Sequence, residues 1–296
     1  MVYDSANLNV TMRPELRRHP CLDAGSHNKY GRIHLPVSPI CNIQCKFCRR
    51  CFNKWEERPG VTRKILSPKE ALTIVDRALE LCPQITVVGI AGPGDSLASN
   101  HAIDTFRVVH EKYPELIKCL STNGLMLPDR AKDLVEVGVS TLTVTVNAVD
   151  ADILSNICTH IVWDGKVNYG KEAALRLLAS QTRGIWEAHK RGIFVKINTV
   201  LIPGINDEHV GDVARTVAGL GASKINIIPL IPQFEMADIE APDCAMLNKA
   251  REDAEQYLEV FRHCTHCRAD ACGIPGSNED LADRLYEQRI ETFSHG

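Results

Sequence analysis

The stretch CNIQCKFC, residues 41–48, places three cysteines in C-x3-C-x2-C spacing. It follows the short β-like run RIHLPVSPI at residues 32–40, so we expect the thiols to lie on a loop after the first strand. Structural zinc takes four protein ligands, and a [4Fe–4S] cube also has four irons to ligate. Three thiolates therefore leave one iron of a cube open to a small molecule. Zinc with Cys51 or a distant residue as its fourth ligand is the alternative.

The composition of the 296-residue chain excludes several classes of protein. Hydrophobic residues make up 44% and charged residues 24%, which is typical of a folded globular chain rather than a disordered one. The formal net charge is −3, so no basic field predicts binding to nucleic acid or to an anionic membrane. No apolar run approaches the roughly 20 residues of a membrane span, and the N-terminus lacks the apolar core of a secretory signal. We therefore expect a cytoplasmic protein.

The cysteines are numerous and clustered, which indicates ligands rather than disulfides in a reducing compartment. The chain has 12 of them. One group lies at residues 41–51 and a second at residues 264–272. Scattered cysteines rarely form two such groups, so we expect each group to serve metal or redox chemistry.

Strand-like and helix-like segments alternate about six times along the chain, which favours a parallel sheet with crossover helices. A helix is predicted at 67–81, with a Ser/Glu capping box at its start, and the last helix is predicted at 242–262. The strands are apolar nearly throughout, as expected when both faces are covered. We predict an α/β fold in one domain: a partial, TIM-like (β/α)6 barrel. Its core spans about 31–261, with extensions at 1–30 and 262–296.

Cysteine spacing and the six βα units together resemble the radical S-adenosylmethionine (SAM) superfamily. That resemblance implies a [4Fe–4S] cluster on Cys41, Cys45 and Cys48 that binds SAM through its open iron and cleaves it to a 5′-deoxyadenosyl radical. The superfamily's glycine motif after the second strand matches AGPGD at residues 91–95, a string that is otherwise typical of a plain turn. The resemblance implies contacts to SAM or substrate from Gly92, Gly94, Asp95, Thr122, Asn123, Asn147, Lys196 and Asn198.

Four longer strings resemble the NifB family of nitrogenase cofactor biosynthesis proteins. They are HPCLDAGSHNKYGRIHLPVSPICNIQCKFC at 19–48, ERPGV at 57–61, CLSTNGLMLPD at 119–129 and HCTHCRADACG at 263–273. The resemblance implies a maturase that fuses two [4Fe–4S] clusters into an eight-iron cluster around a carbide. SAM would donate the methyl carbon and also supply the radical, and an additional sulfur would come from another source. Many members carry a NifX-like domain after the barrel; here we expect a stand-alone radical SAM domain.

The resemblance also implies two auxiliary [4Fe–4S] units that serve as substrate clusters. Cys264 and Cys267, in C-x2-C spacing, would hold one of them. Cys51 is the preferred third ligand, although its spacing after the triad differs slightly from the family pattern, and Cys272 competes with it. Half of a zinc knuckle is the alternative for the C-x2-C pair, but no second pair of that kind is present.

The other substrate unit would use Cys21 and Cys119 with a weaker third ligand. Imidazole holds iron less firmly than a full thiolate set, which suits a unit that must surrender its irons. His27 is the preferred imidazole, and His19 and His34 are the alternatives.

A carboxylate is also expected near the cluster loop. Glu56 would serve as a weak ligand or act on a proton, and a one-residue slip would exchange it with Glu57.

Three hypotheses about function remain open at this point. The leading one is the cofactor maturase, whose implied partners are an iron–sulfur cluster donor, a cofactor carrier or scaffold protein, and an electron donor such as ferredoxin or flavodoxin. The second is another radical SAM enzyme with auxiliary clusters, which would take hydrogen from a peptide or small organic molecule. The third is a non-enzymatic iron–sulfur scaffold, which would not cleave SAM under strong reductant.

Overall fold

The computed structural model describes residues 13–264, 267–277 and 281–286. Its strands are β1 (Gly31–His34), β2 (Ile43–Cys45), β3 (Cys51–Phe52), β4 (Val61–Thr62), β5 (Ile85–Ile90), β6 (Ile117–Thr122), β7 (Val139–Thr145), β8 (Cys158–Trp163), β9 (Lys166–Tyr169), β10 (Phe194–Leu201), β11 (Lys224–Pro229), β12 (Glu259–Val260) and β13 (Cys272–Gly273). Its α-helices are α1 (Pro68–Leu81), α2 (His101–Lys112), α3 (Leu127–Glu136), α4 (Ala151–Ile157), α5 (Gly170–Lys190), α6 (Val210–Gly219), α7 (Cys244–Glu255) and α8 (Ala282–Leu285). Short 3-10 helices lie at Pro14–Arg18, Ala24–Ser26 and Phe234–Met236.

The main sheet has the strand order β12-β11-β10-β7-β6-β5-β1-β13. All neighbours pair in parallel except β13, which runs antiparallel to β1. Helices cross over between successive parallel strands, as parallel pairing requires. The predicted α/β fold with a partial (β/α)6 barrel is confirmed, and the short β12 adds a further parallel strand at one edge.

Local sequence explains why these elements form. Helix α1 begins where Ser67 accepts a hydrogen bond from the Glu70 backbone N–H, while the Glu70 carboxylate accepts one from the Ser67 backbone N–H. Strand β5 is buried at every position, which matches its uninterrupted apolar sequence. None of the helices formed by the described residues is both long and apolar enough to cross a membrane.

Two parts of the fold differ from the sequence predictions. Helix α7 ends at Glu255, so the prediction of helix to residue 262 is wrong for its last turns; Val260 instead pairs with β11 and is buried there. The hairpin of β8 and β9 was not predicted. Its turn is Asp164–Gly165, with positive φ at both residues, and such Asp-Gly pairs are a strong hairpin signal. This hairpin pairs with β2 and so supports the cysteine loop.

A buried ion network fixes the segment that follows the last cysteine pair. Asp270 is fully buried and forms ion pairs with Arg268 at 2.8 Å and with Arg63 at 3.0 Å. Arg268 also donates hydrogen bonds to the backbone oxygens of Asn53 and Glu56. The network therefore joins the C-terminal segment to the loop that follows the first cysteine group.

Replacing Asp270 with alanine should destabilise the fold strongly. The change leaves two buried guanidinium groups without this carboxylate, and breaking a buried pair in this way costs about 3–5 kcal/mol. Urea unfolding of the metal-free protein measures the loss. Asp104→Ala is the matched control, because Asp104 pairs with Arg107 at the surface and its loss should cost about 1 kcal/mol or less. Equal losses in the two variants would contradict the role given to the buried network.

Candidate functional site

Cysteines from both groups line one cavity of about 670 Å³. It lies between the main sheet, the cysteine loop, the N-terminal segment and the start of the C-terminal segment. Its lining includes eight cysteines, namely Cys21, Cys41, Cys45, Cys48, Cys119, Cys158, Cys264 and Cys267. A cavity of this size holds a cofactor-sized ligand. Segments far apart in sequence therefore place their thiols around a single space.

Backbone and amide hydrogen bonds hold the cysteine loop in shape. Cys45 belongs to β2 and lies opposite Cys158 in the ladder with β8. The Cys48 backbone N–H donates to the Cys45 oxygen at 3.0 Å. The Gln44 amide donates to the oxygens of both Cys45 and Cys48, at 2.9 and 3.1 Å. The protein itself therefore positions the three thiols of the loop.

The loop thiols lie in an environment that disfavours free thiolates. Burial, with the nearby Asp95 carboxylate, raises the pKa of Cys41 to about 11. Burial and the neighbouring thiols raise the pKa of Cys45 well above its usual value. Iron would supply the missing positive charge as it displaces the thiol protons. The donor chemistry of the loop thus fits a thiolate-bound cluster.

The spacing of the side chains also bears on the kind of metal. In the part of the chain that the structure describes, no three His, Cys, Asp or Glu side chains are arranged to hold a single metal ion. A four-iron cube allows its thiolates to lie farther apart than a single ion does, since each thiolate binds a different iron. The arrangement is compatible with such a cube.

The AGPGD segment packs directly against the chain that leads into the cysteine loop. The Gly94 N–H donates to the Ser38 oxygen at 2.8 Å, and the Asp95 N–H donates to the Ile40 oxygen at 2.9 Å. A Cβ atom at Gly94 would collide with the Ile40 backbone oxygen, so only glycine fits there. Gly92 lies outside the cavity lining and approaches Ala269 of the C-terminal segment.

Asp95 ties the end of β5 to the end of β6. Its buried carboxylate accepts hydrogen bonds from the Thr122 hydroxyl and from the backbone N–H groups of Asn123 and Leu97. Burial raises the pKa of Asp95, although these hydrogen bonds oppose the shift. The Asn123 amide in turn donates to Asn42 and lies 3.8 Å from the Cys41 sulfur. This chain of contacts extends from the AGPGD segment to the first loop thiol.

The remaining predicted SAM contacts divide between two regions of the cavity. Asn147, just after β7, and Asn198, within β10, line one region. Asn198 accepts a hydrogen bond from Asn226 at 3.3 Å. Lys196 lies beside Cys21 instead, with its ammonium nitrogen 3.4 Å from the Cys21 backbone oxygen. Asn226 was not predicted, although a polar residue inside the apolar run KINIIP is a recognisable signal.

Hydrogen bonds distinguish the three candidate histidine ligands. The Nδ1 atoms of His27 and His34 face the backbone oxygens of Pro20 and Arg268, at 2.9 and 3.1 Å. A carbonyl only accepts, so Nδ1 carries the proton in both rings and Nε2 keeps the lone pair that a metal needs. His34 lines the cavity, whereas His27 is half-buried outside that lining and contacts the Phe261 ring. The hydrogen bonds thus leave the Nε2 lone pair available in both rings.

His19 has the opposite hydrogen-bonding arrangement. Its Nδ1 accepts a hydrogen bond from the Cys21 backbone N–H at 3.1 Å, so the proton of the neutral ring lies on Nε2. Burial, with the positive charge of Lys196, lowers the pKa of His19 to about 3, which keeps the ring neutral. Nε2 therefore carries the proton and offers a hydrogen-bond donor rather than the lone pair that a metal needs.

Three other predicted residues lie outside the cavity lining. Cys51 is half-buried in β3, where the Arg58 guanidinium donates to its sulfur at 3.3 Å. Cys272 is buried in β13 within the main apolar core. Partial burial opposes ionisation of Glu56, but hydrogen bonds from Arg58 and Asn53 hold its pKa below the usual value. The neighbouring Glu57 is exposed.

Cys158 is a cavity residue that the sequence left unassigned. It lies opposite Cys45 in the small sheet, and its thiol donates to the His160 backbone oxygen at 3.3 Å. Burial raises its pKa to about 11. Recognition of the Asp-Gly hairpin would have placed this cysteine next to the loop.

Comparison with known proteins defines the class. The family model of the radical SAM superfamily matches residues 35–217. The fold resembles that of SuiB from Streptococcus suis, with a TM-score of 0.56 and 14% identity over 77% of this chain and 48% of that one. It also resembles a radical SAM methyltransferase from Sphaerobacter thermophilus, with a TM-score of 0.55 and 21% identity over 77% and 64%. The chain belongs to the radical SAM superfamily of enzymes, which implies a [4Fe–4S] cluster and SAM.

Curated relatives narrow the assignment. The FeMo cofactor biosynthesis protein NifB of Methanocaldococcus jannaschii is 48% identical over 94% of this chain and 95% of its own length. The protein of the same name from Methanocaldococcus infernus is 45% identical over 93% and 92%. The one from Klebsiella pneumoniae is 40% identical over 93% of this chain but 60% of its own length. Within the superfamily, this chain belongs to the NifB family.

Gly94→Ala should disable the cysteine loop. The added methyl group must displace the Ile40 backbone, and forced overpacking typically costs about 1–3 kcal/mol. We expect the anaerobically reconstituted variant to lose iron from the loop and to lose SAM binding, measured by iron analysis and equilibrium dialysis. Gly219→Ala is the control, because a Cβ there meets no atom within 4 Å. Normal SAM binding by Gly94→Ala would show that the close approach is not required.

Proposed function

We propose that this chain builds the precursor of the nitrogenase FeMo cofactor by fusing two [4Fe–4S] substrate clusters into an eight-iron cluster with a central carbide. The observation that carries the proposal is the convergence of eight cysteines, from both ends and the middle of the chain, on one cavity. A radical SAM cluster alone needs three of them. Membership of the NifB family supports the same assignment, since the relatives bear the name FeMo cofactor biosynthesis protein.

The loop and the AGPGD segment would bind the resident cluster and SAM. When bound there, the cluster and SAM supply a methyl group and, after one-electron cleavage of the sulfonium, a 5′-deoxyadenosyl radical. Cys41, Cys45 and Cys48 would hold the cluster. Asp95 and Asn123 fix the neighbouring strand ends, so that backbone groups there can orient the methionine moiety.

Substrate clusters would bind on the other side of the cavity. Cys264 and Cys267 would hold one unit, with Cys51 as the proposed third ligand, because Cys272 is enclosed in the apolar core. Cys21 and Cys119 would hold the other, together with an imidazole.

For that imidazole, the hydrogen bonds leave His27 and His34 as candidates. We retain His27 as the proposed ligand and His34 as its alternative, since both present the lone pair of Nε2.

Apolar side chains around the cavity protect reactive species from water. Val87, Leu142 and Ile227 line the cavity from three strands of the main sheet, β5, β7 and β11. Exclusion of water suppresses side reactions of a radical. The hydrogen abstraction that the proposal requires would therefore take place in a largely dry space.

External partners complete the reaction. Cleavage of SAM consumes one electron, for which we propose a small donor such as ferredoxin or flavodoxin. A cluster donor protein would load the substrate units, and a carrier or scaffold protein would accept the product.

Methyl-labelled SAM tests the proposal. Incubation of the reconstituted protein with labelled SAM and dithionite should place the label in an acid-labile metal cluster, because the methyl carbon becomes the carbide. Cys41→Ala/Cys45→Ala/Cys48→Ala should abolish SAM cleavage altogether. Cys264→Ala/Cys267→Ala should retain the cleavage and lose the label from the cluster.

Two results would contradict the proposal. Label or hydrogen loss on a peptide or small organic molecule would indicate a different radical SAM enzyme. Absence of SAM cleavage in the fully loaded protein would indicate a scaffold.

A further inference from the structure

The Nε2 atom of His19 is a buried donor without an acceptor. The side chain is 2% exposed and lines the cavity beside Cys21. Because Nδ1 already accepts from the Cys21 N–H, Nε2 carries the proton, yet it has no hydrogen-bond partner among the described residues. A buried donor without a partner destabilises the folded protein. A donor in this position calls for an acceptor that the cavity receives from outside.

Lys196 brings a second donor to the same place. Its side chain extends from β10 into the cavity and is 5% exposed. The ammonium group donates to the Cys21 backbone oxygen and lies 5.4 Å from the centre of the Phe261 ring. In the described part of the chain Lys196 forms no ion pair, and an ammonium has three N–H donors. An anion that enters the cavity would therefore stabilise this buried ammonium group beyond these two contacts.

The neighbouring thiols indicate the chemistry of that anion. Cys21 and Cys119 line the same cavity as Lys196, whose ammonium group contacts the Cys21 backbone oxygen. A four-iron cluster held by thiolates is anionic, and its bridging sulfides accept hydrogen bonds. A cluster with several sulfide acceptors could accept hydrogen bonds from both His19 and Lys196.

We propose that His19 and Lys196 donate hydrogen bonds to the sulfides of the substrate cluster held by Cys21 and Cys119. Both are positioning residues, because they stabilise the negative charge of the cluster through hydrogen bonds. The mixed set of ligands would still allow the irons to be transferred. This inference rests on the proposed function, and it makes His19 a donor to the cluster rather than one of its ligands. It also assigns Lys196 to the substrate cluster and not to SAM.

The test uses the full chain with Cys41→Ala/Cys45→Ala/Cys48→Ala as background, so that only auxiliary clusters remain. That background should hold about eight irons per chain, from two four-iron cubes. His19→Asn keeps an amide near the Nδ1 position but removes the donor at Nε2, whereas His19→Gln places an amide N–H near Nε2. Lys196→Met removes the ammonium, whereas Lys196→Arg retains a charged donor.

Hydrogen bonds to sulfide favour the reduced, more negative cluster. His19→Asn and Lys196→Met should therefore each lower the ratio of reduced to oxidised auxiliary cluster at a fixed potential by about tenfold, equivalent to about 59 mV for one electron. The reduced-state electron paramagnetic resonance signal should shift as well. Iron content should stay at the background level, and His19→Gln and Lys196→Arg should restore both signatures.

Each possible outcome bears on one of the two proposals. An unchanged potential in both His19→Asn and Lys196→Met, with about eight irons retained, overturns this inference and leaves the proposed function intact. Loss of four irons in both His19 variants also overturns it, because His19 would then be a ligand. A background that binds no iron while wild type binds about four contradicts the proposed function itself.

Discussion

The buried ion network around Asp270 is the interaction on which the site depends. Arg63 follows the first cysteine loop, whereas Arg268 directly follows the C-terminal cysteine pair. Their shared carboxylate brings together two segments that lie about 200 residues apart in the chain. Without it, the cavity would keep its loop thiols and lose the anchor of Cys264 and Cys267. The same ion network thus stabilises the fold and positions the C-terminal cysteine ligands.

The charged groups near the thiols differ between the two sides of the cavity. Around Cys41 and Cys45 the thiols are buried near the Asp95 carboxylate, so only a metal can stabilise the thiolates. Around Cys21 the Lys196 ammonium partly offsets the same burial. Burial nevertheless raises the pKa of Cys21 to about 12, so iron would have to displace the thiol proton there as well. The proposed resident and substrate clusters would thus both bind thiols that stay protonated without metal.

Much of the fold could be predicted from local sequence. The capping box of α1 and the apolar strands are local signals, and the structure confirms the barrel that they indicate. The end of α7 could not be placed, because Val260 is recruited by pairing with β11, a tertiary contact that helix periodicity does not report. The hairpin after α4 carried an Asp-Gly signal that was not used, and Cys158 was left unassigned with it.

The candidate site could be predicted only in part. Cysteine spacing selected Cys41, Cys45 and Cys48, and the structure places them with Cys21, Cys119, Cys264 and Cys267 at one cavity. The roles of His19, His27 and His34 could not be separated, because they depend on which ring nitrogen faces a carbonyl and which faces an N–H. Lys196 was expected to contact SAM or substrate because it lies on a late strand, and the sequence alone could not show that folding brings it beside Cys21.

Anaerobic crystals measured at the iron absorption edge test the central claim most directly. The account predicts three iron clusters in the one cavity, and the cluster on Cys41, Cys45 and Cys48 has one iron that no protein atom binds. Zinc on the loop, or a protein side chain on the fourth iron of that cluster, would contradict the account.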